Sequence, residues 1–216
     1  MPEYTLYGFA QSGHCYKVAL CLELAGADWK PRFVDYFNGE THTPAYRAIN
    51  VMGEAPVLDH GDLRLTQSGV MLDYLAERYP QLAVEKIAGG DPAQQREVLR
   101  WLLWDNHKLT SYTATFRYFR VLAAKSEPAV LAEFGKRARA AWTVLDTHLG
   151  GRSFVVGNRL SIVDLSICGY LFFEDELGVD WNDFPNLRDW LGRIRAQPRW
   201  KHPYDLLPGH PLQGKK

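Results

Sequence analysis

Four positions in the first seventy residues have side chains or free peptide groups whose types and spacing could do chemistry together. Ser12 follows Gly8-Phe9-Ala10-Gln11, where a strand-like run, Tyr4-Thr5-Leu6-Tyr7, gives way to a helix from about His14. Its hydroxyl therefore stands at or near a helix N-cap. Further on, Gly53-Glu54-Ala55-Pro56-Val57-Leu58 puts a proline directly before a strand-like pair. Proline cannot donate to a sheet ladder, so it belongs at the strand's first residue, and the peptide groups of Ala55 are left free. Gln67 and Ser68 then open an apolar helix ending in Tyr74-Leu75. They offer an amide, a hydroxyl and unpaired backbone N–H groups to an anion. A free peptide edge near a helix N-terminus is a receptor for a peptide that carries a carboxylate.

The elements that must position these groups are legible around them. Strand candidates at Tyr4 to Tyr7, Lys30 to Asp35, Pro56 to Asp59 and Asp62 to Leu65 alternate with helical segments, an α/β pattern. The first helix gathers Cys15, Val18, Ala19 and Leu22 on one face and stops near Gly26, which can adopt the left-handed conformation. His60-Gly61-Asp62 makes the turn of a hairpin. Breakers at Gly89-Gly90-Asp91-Pro92 mark residues 81–92 as a linker between residues 1–80 and an all-helical region, 93–216. Helices are expected at about Ala93 to Ala124, Glu127 to Leu149, Ser161 to Asp175 and Asn186 to Ala196. Ser161 and Asp164 have the spacing of a capping box, which makes Asp164 structural.

Twenty-five basic residues balance twenty-five acidic ones in the 216, so no net field favours nucleic acid or an anionic membrane. The first residues have neither a basic region nor an apolar one, and no apolar run approaches a membrane span, so a cytoplasmic location is expected. Cys15, Cys21 and Cys168 are too few for a disulfide framework, and no Cys/His cluster suggests a metal. Cys21 and Cys168 read as small buried hydrophobes.

The S-x-x-C of Ser12 to Cys15, the G-x-x-P-V-L of Gly53 to Leu58 and the Q-S-x-x-x-x-x-Y-L of Gln67 to Leu75 together resemble a cytosolic glutathione transferase of the bacterial type, and the resemblance runs to about residue 200. It implies an α/β plus all-α chain: an N-terminal thioredoxin-like domain that binds glutathione, then a helical bundle that contributes the site for an electrophile. It also implies a homodimer acting in detoxification, with glutathione as substrate and no separate cofactor or metal. Ser12 would stabilise the glutathione thiolate. The Ala55–Pro56 bond would be cis, with Ala55 pairing antiparallel to the cysteinyl backbone. Gln67 and Ser68 would hold the γ-glutamyl end.

Lowering a thiol pKa from about 8.5 to about 6.5 takes roughly 2.7 kcal/mol in favour of the anion. One hydrogen bond to a charge contributes about 1.5–3 kcal/mol, and a helix N-terminus about 0.3–1 kcal/mol. Ser12 has both at hand. The bland reading is that Ser12 only caps its helix. Tyr7 competes for the role but falls one residue early, where a strand turns its side chain to the opposite face. Cys15 reads as core and His14 as a solvated first-turn residue.

Two departures from the family pattern bear on the glutathione contacts. Many relatives carry an acidic residue at the position of Gln67 to receive the γ-glutamyl amine, and a carboxylate from a partner chain, Asp105, is the candidate to compensate. Glu54 stands where lysine or glutamine often lies near the glycyl carboxylate, which it would repel; His42 is the candidate to supply the missing donor. Val51 replaces a proline common after Asn50. The electrophile, a hydrophobic small molecule, is expected where the helical domain faces the first, with Tyr112, His107 and Trp104 as candidates along a stripe that includes Trp101, Lys108, Phe116 and Phe119. Arg117 and Arg120 are expected in solvent. Three functions fit: conjugation of glutathione to an electrophile, glutathione-dependent disulfide reduction or isomerisation, and a non-catalytic binding module.

Overall fold

The computed structural model describes residues 2–82 and 92–212, so most of the expected linker lies outside the described residues. The chain divides into two compact units, Met1–Leu82 with Pro198–Lys216, and Ala83–Gln197.

The first unit is built on a four-stranded sheet in the order β2-β1-β3-β4. β1 (Tyr4–Gly8) runs parallel to β2 (Trp29–Phe33) and antiparallel to β3 (Val57–His60), which forms a hairpin with β4 (Leu63–Thr66). Two helices, α1 (Gly13–Ala25) and α3 (Ser68–Arg78), pack against each other, while the shorter α2 (Pro44–Ile49) precedes the strand hairpin. Along β1 the side chains alternate, with Tyr4, Leu6 and Gly8 buried and Thr5 and Tyr7 half-buried, which is the period-two pattern of a strand. A Cβ at Gly8 would lie 2.9 Å from Cys15 Sγ. Glycine is required there so that α1 can close onto β1, and the fully buried Cys15 fills the space a larger residue would need.

The expected boundary at the end of the chain is revised. Residues from 198 onward join the first unit instead of the helical one. The helix α10 (Pro203–Leu206) packs on α1, Tyr16 donates its hydroxyl to Lys201 O (2.9 Å), and Lys201 Nζ pairs with Glu23 (2.9 Å). The tail then reaches the β1–α1 loop, where Ala10 N donates to Pro208 O (2.8 Å) and Gln11 Nε2 to Gly209 O (2.7 Å).

The helical unit begins with α4 (Pro92–Trp104) and α5 (Thr110–Arg117), joined through a π-helical turn, Asp105–Leu109, and followed by another, Tyr118–Leu122. The long α6 (Pro128–Leu149) and α9 (Pro185–Arg195) pack together. The helix expected from Ser161 to Asp175 is broken. α7 (Ile162–Ile167) passes into a 3₁₀ turn at Cys168–Tyr170, and α8 (Glu174–Leu177) restarts after Phe173. Nearly every residue from Ile162 to Phe173 is buried, so no solvated face holds the run to one axis and packing sets its path. The capping box is present as expected. Ser161 Oγ accepts from Val163 N (3.3 Å), while Asp164 accepts from Ser161 N (3.0 Å) and from Ser161 Oγ (3.0 Å).

Candidate functional site

Ser12 is the N-cap of α1. Its Oγ accepts from Cys15 N at 3.2 Å, and its carbonyl receives Tyr16 N at 2.9 Å. A serine hydroxyl has one hydrogen and two acceptor lone pairs. Capping therefore consumes an acceptor and leaves the hydrogen, so capping and stabilising an external thiolate are compatible. The group beside that hydroxyl is the Cys15 thiol. Burial pushes this thiol up to about 11, although Ser12 and the Phe9 backbone draw it the other way. Cys15 is a protonated core residue at neutral pH and a weak acceptor. Tyr7 is engaged along the sheet: its hydroxyl donates to Asp59 Oδ2 (3.0 Å), and the Arg32 and Arg64 guanidinium groups lie over its ring.

The loop before β3 is held from behind. Glu54 O accepts from Tyr46 Oη (3.1 Å) and Asn50 Nδ2 (2.8 Å), both from buried side chains, and Asn50 Oδ1 accepts from Met52 N (3.1 Å). The Ala55–Pro56 peptide is cis. Among the described residues the backbone of Ala55 makes no hydrogen bond, so this fixed edge offers one N–H and one C=O. Gln67 precedes α3 with φ 68° and ψ 116° and does not cap it. Few residues other than glycine adopt a positive φ, and doing so costs of order 1–3 kcal/mol. The N–H groups of the first turn of α3 are thereby left for another acceptor. Ser68 is buried, with its Oγ 3.2 Å from His14 Nδ1, so His14 links the starts of α1 and α3 and is not simply solvated. Gln67 Nε2 donates to Glu54 Oε2 at 3.0 Å. Ser12, Ala55, Gln67 and Ser68 thus all belong to the first unit, at the helix starts and loop ends of its sheet. His42 ends a 3₁₀ turn, Glu40–His42, and is exposed.

The candidates in the helical unit meet a different outcome. Asp105 is fully buried there, with Thr110 Oγ1 donating to one carboxylate oxygen (2.6 Å) and Ser166 Oγ to the other (2.6 Å). The first bond bridges the π turn, whose Thr110 N also donates to Asp105 O, and the second ties the turn to α7. An interior carboxylate with both oxygens engaged is not offered to another chain, which removes Asp105 as the partner-chain group. Tyr112 is half-buried, its hydroxyl accepting from Lys108 Nζ (3.3 Å), with Arg137 also over its ring. Trp104 is half-buried and edge-on to Trp101, and His107 is exposed. Phe116 packs edge-on to Trp142, and Phe119 lies against Phe134, so that half-buried part of the aromatic stripe packs on other rings of the same unit. Arg117 is not in solvent: it is 1% exposed, pairs with Glu176 at 2.7 Å and lies over the Phe173 ring at 3.6 Å.

Residues 6–83 match the glutathione S-transferase N-terminal domain, and residues 105–198 match the glutathione S-transferase C-terminal domain. The chain belongs to the glutathione S-transferase family. It is 28% identical over 207 residues to a maleylacetoacetate isomerase of Pseudomonas aeruginosa, covering 92% of this chain and 95% of that protein. It is 25% identical over 198 residues to the glutathione S-transferase GstB of Escherichia coli, covering 90% and 94%. A glutathione S-transferase from Pseudomonas fluorescens has the same fold, with a TM-score of 0.86, 29% identity and coverage of 94% and 100%.

Within this member of the family, sequence reasoning missed the groups that hold the site from behind. Tyr46 and Asn50 lie in and just after a short helix and look like ordinary loop polars until Glu54 O is seen between them. The tail contacts at Ala10 and Gln11 link residues about two hundred positions apart, which no local pattern signals. Lys17, fully buried in α1, breaks the apolar face without an obvious sequence cue.

Proposed function

We propose that this chain is a glutathione transferase that binds glutathione on the first unit, stabilises its thiolate at Ser12 and adds it to an electrophilic small molecule. The observation that carries the reading is the Ser12 cap. Its oxygen holds Cys15 N, and among the described residues the group beside its hydrogen is a buried thiol, so a bound thiolate would be a stronger acceptor for that hydroxyl. The unpaired Ala55 backbone supports antiparallel pairing with the cysteinyl peptide. Ser68 and the first turn of α3 suit the γ-glutamyl carboxylate. The hydroxyl and the start of α1 supply enough stabilisation without a metal or prosthetic group. Tyr112, with Lys108 beside it, is the leading contact for the electrophile, ahead of the exposed His107 and the half-buried Trp104. A cytoplasmic homodimer is the accompanying expectation. Among the described residues no helix is long and apolar enough to cross a membrane.

The test is an ultraviolet titration of the protein with glutathione across pH, following thiolate absorbance. A bound thiol ionising about one to two units below its solution value supports conjugation. Saturable binding with no shift removes Ser12 as an activating group.

A second reading is glutathione-dependent isomerisation, which the likeness to the maleylacetoacetate isomerase favours. It uses the same thiolate but returns glutathione after each turnover. Product analysis separates the two, since conjugation consumes glutathione stoichiometrically.

A further inference from the structure

This inference rests on the glutathione reading and concerns the group that receives the ammonium of the γ-glutamyl end. Gln67, directly before Ser68, carries no charge, and Asp105 is enclosed in the helical unit. The sequence presents Gln67 and Glu54 as two separate departures, one lacking an expected carboxylate and one adding an unwanted one. In the structure they form a single pair, with Gln67 Nε2 donating to Glu54 Oε2 at 3.0 Å while lying 3.2 Å from Met52 Sδ. We propose that Glu54 is the carboxylate that receives the α-ammonium of the bound tripeptide, oriented by Gln67, and that it makes the site specific for an α-amino acid head group.

Three features support this assignment. First, the Glu54 main chain is fixed by Tyr46 and Asn50, so its side chain leaves from a rigid point. Second, its carboxylate is exposed and, among the described residues, has no cation partner, so an incoming ammonium would be its first. Third, Gln67 spends its N–H on Glu54 and keeps its amide oxygen as an acceptor. Carboxylate and amide oxygen together make a two-acceptor seat beside Ser68 and the uncapped start of α3. Positive and negative ends of one amino acid head group would be met side by side, with the ammonium on Glu54 and Gln67 and the carboxylate on Ser68 and the helix N–H groups. Drawn towards Gln67, the Glu54 carboxylate is directed to the γ-glutamyl end, not left to oppose the glycyl carboxylate.

Calorimetric titration with two ligands tests this: glutathione, and its deamino analogue glutaryl-cysteinyl-glycine, which lacks only the ammonium. Glu54→Gln is expected to weaken glutathione about ten-fold and to leave the analogue within two-fold. Adding Gln67→Glu to Glu54→Gln returns the charge one side chain away and is expected to recover most of the loss. Equal weakening of both ligands, or no weakening of either, overturns the assignment. Tighter glutathione binding by Glu54→Gln also overturns it and makes Glu54 a repeller of the glycyl carboxylate. If the unaltered protein binds neither ligand, the glutathione reading itself fails; if it binds both equally, only the role of Glu54 falls.

Discussion

Two buried serines cap helices in this chain, one in each unit, and they differ in where the hydroxyl hydrogen goes. Ser161 accepts from Val163 N and donates to Asp164, whose oxygens also accept from Ser161 N, Val155 N (2.9 Å) and Trp190 Nε1 (2.9 Å). Ser12 accepts from Cys15 N, and the group next to its hydrogen is a thiol. One cap is closed and contributes stability. The other is satisfied as an acceptor and open as a donor, which is the condition for acting on a ligand. Residue type and cap position are the same for both serines; what differs is the fate of one hydrogen, and on the proposed reading that difference separates a structural cap from an activating one.

The largest expected effect breaks the closed cap. Asp164→Ala leaves buried N–H groups of Val155, Ser161 and Trp190 without an acceptor, and is expected to lower stability by about 4 kcal/mol in urea unfolding. The specific activity of the molecules that remain folded should not change. Burial pushes the Asp164 carboxyl up to about 6, against four donors that favour its anion. That value lies above the ~3.9 of an unfolded chain. Between about pH 4 and 6 the folded state then holds a proton that the unfolded state has lost, and stability falls as pH rises through this window. Unfolding free energies of the unaltered protein relative to Asp164→Asn should decline from pH 4 to 6 and level off above it. A rising difference would mean that the four donors outweigh burial.

Opening the comparison from the other side gives a smaller loss of stability and a larger loss of function. Ser12→Ala removes one cap bond, worth about 1 kcal/mol. It also removes the donor to the thiolate, so bound glutathione should ionise about one to two pH units higher and kcat/KM should fall roughly 10- to 100-fold. Thiolate absorbance and conjugation kinetics measure the two separately. An unchanged ionisation profile would reduce Ser12 to a second structural cap.

Both caps are legible in the sequence because their partners lie within four residues, and so are the strands and the hairpin, whose alternation and turn residues are local. What closes the structure behind them is not. Asp105 meets Ser166 sixty-one positions on, and Arg117 meets Glu176 fifty-nine positions on; both looked available in sequence because an unpaired charge and a buried, paired one have the same letter. The tail that reaches Ala10 and Gln11 follows the helical region in sequence, and its contacts lie about two hundred positions away. The pairing of Glu54 with Gln67 spans only thirteen residues, yet Gln67 stands there at a positive φ, a conformation that sequence signals chiefly at glycine. Periodicity also fails from Ile162 to Phe173, where burial on all sides erases the polar face that would have marked the breaks.

The smallest expected effect concerns a third hydroxyl, that of Tyr7 on β1, which competes with Ser12 for the activating role in the sequence without sharing its surroundings. Its hydrogen is already donated to Asp59, and Asp59 in turn accepts from Arg64 (2.7 Å). Burial, reinforced by the hydrogen bond to Asp59, pushes the phenol pKa up, so the group is held protonated and occupied. By the criterion that separates Ser12 from Ser161, Tyr7 is closed. Tyr7→Phe is therefore expected to cost about 1 kcal/mol of stability at most and to leave kcat/KM and the ionisation of bound glutathione within two-fold. A loss comparable to that of Ser12→Ala would mean that this hydroxyl turns to the other side of the sheet when glutathione binds, and that the fate of the hydrogen in the free protein does not identify the activating group.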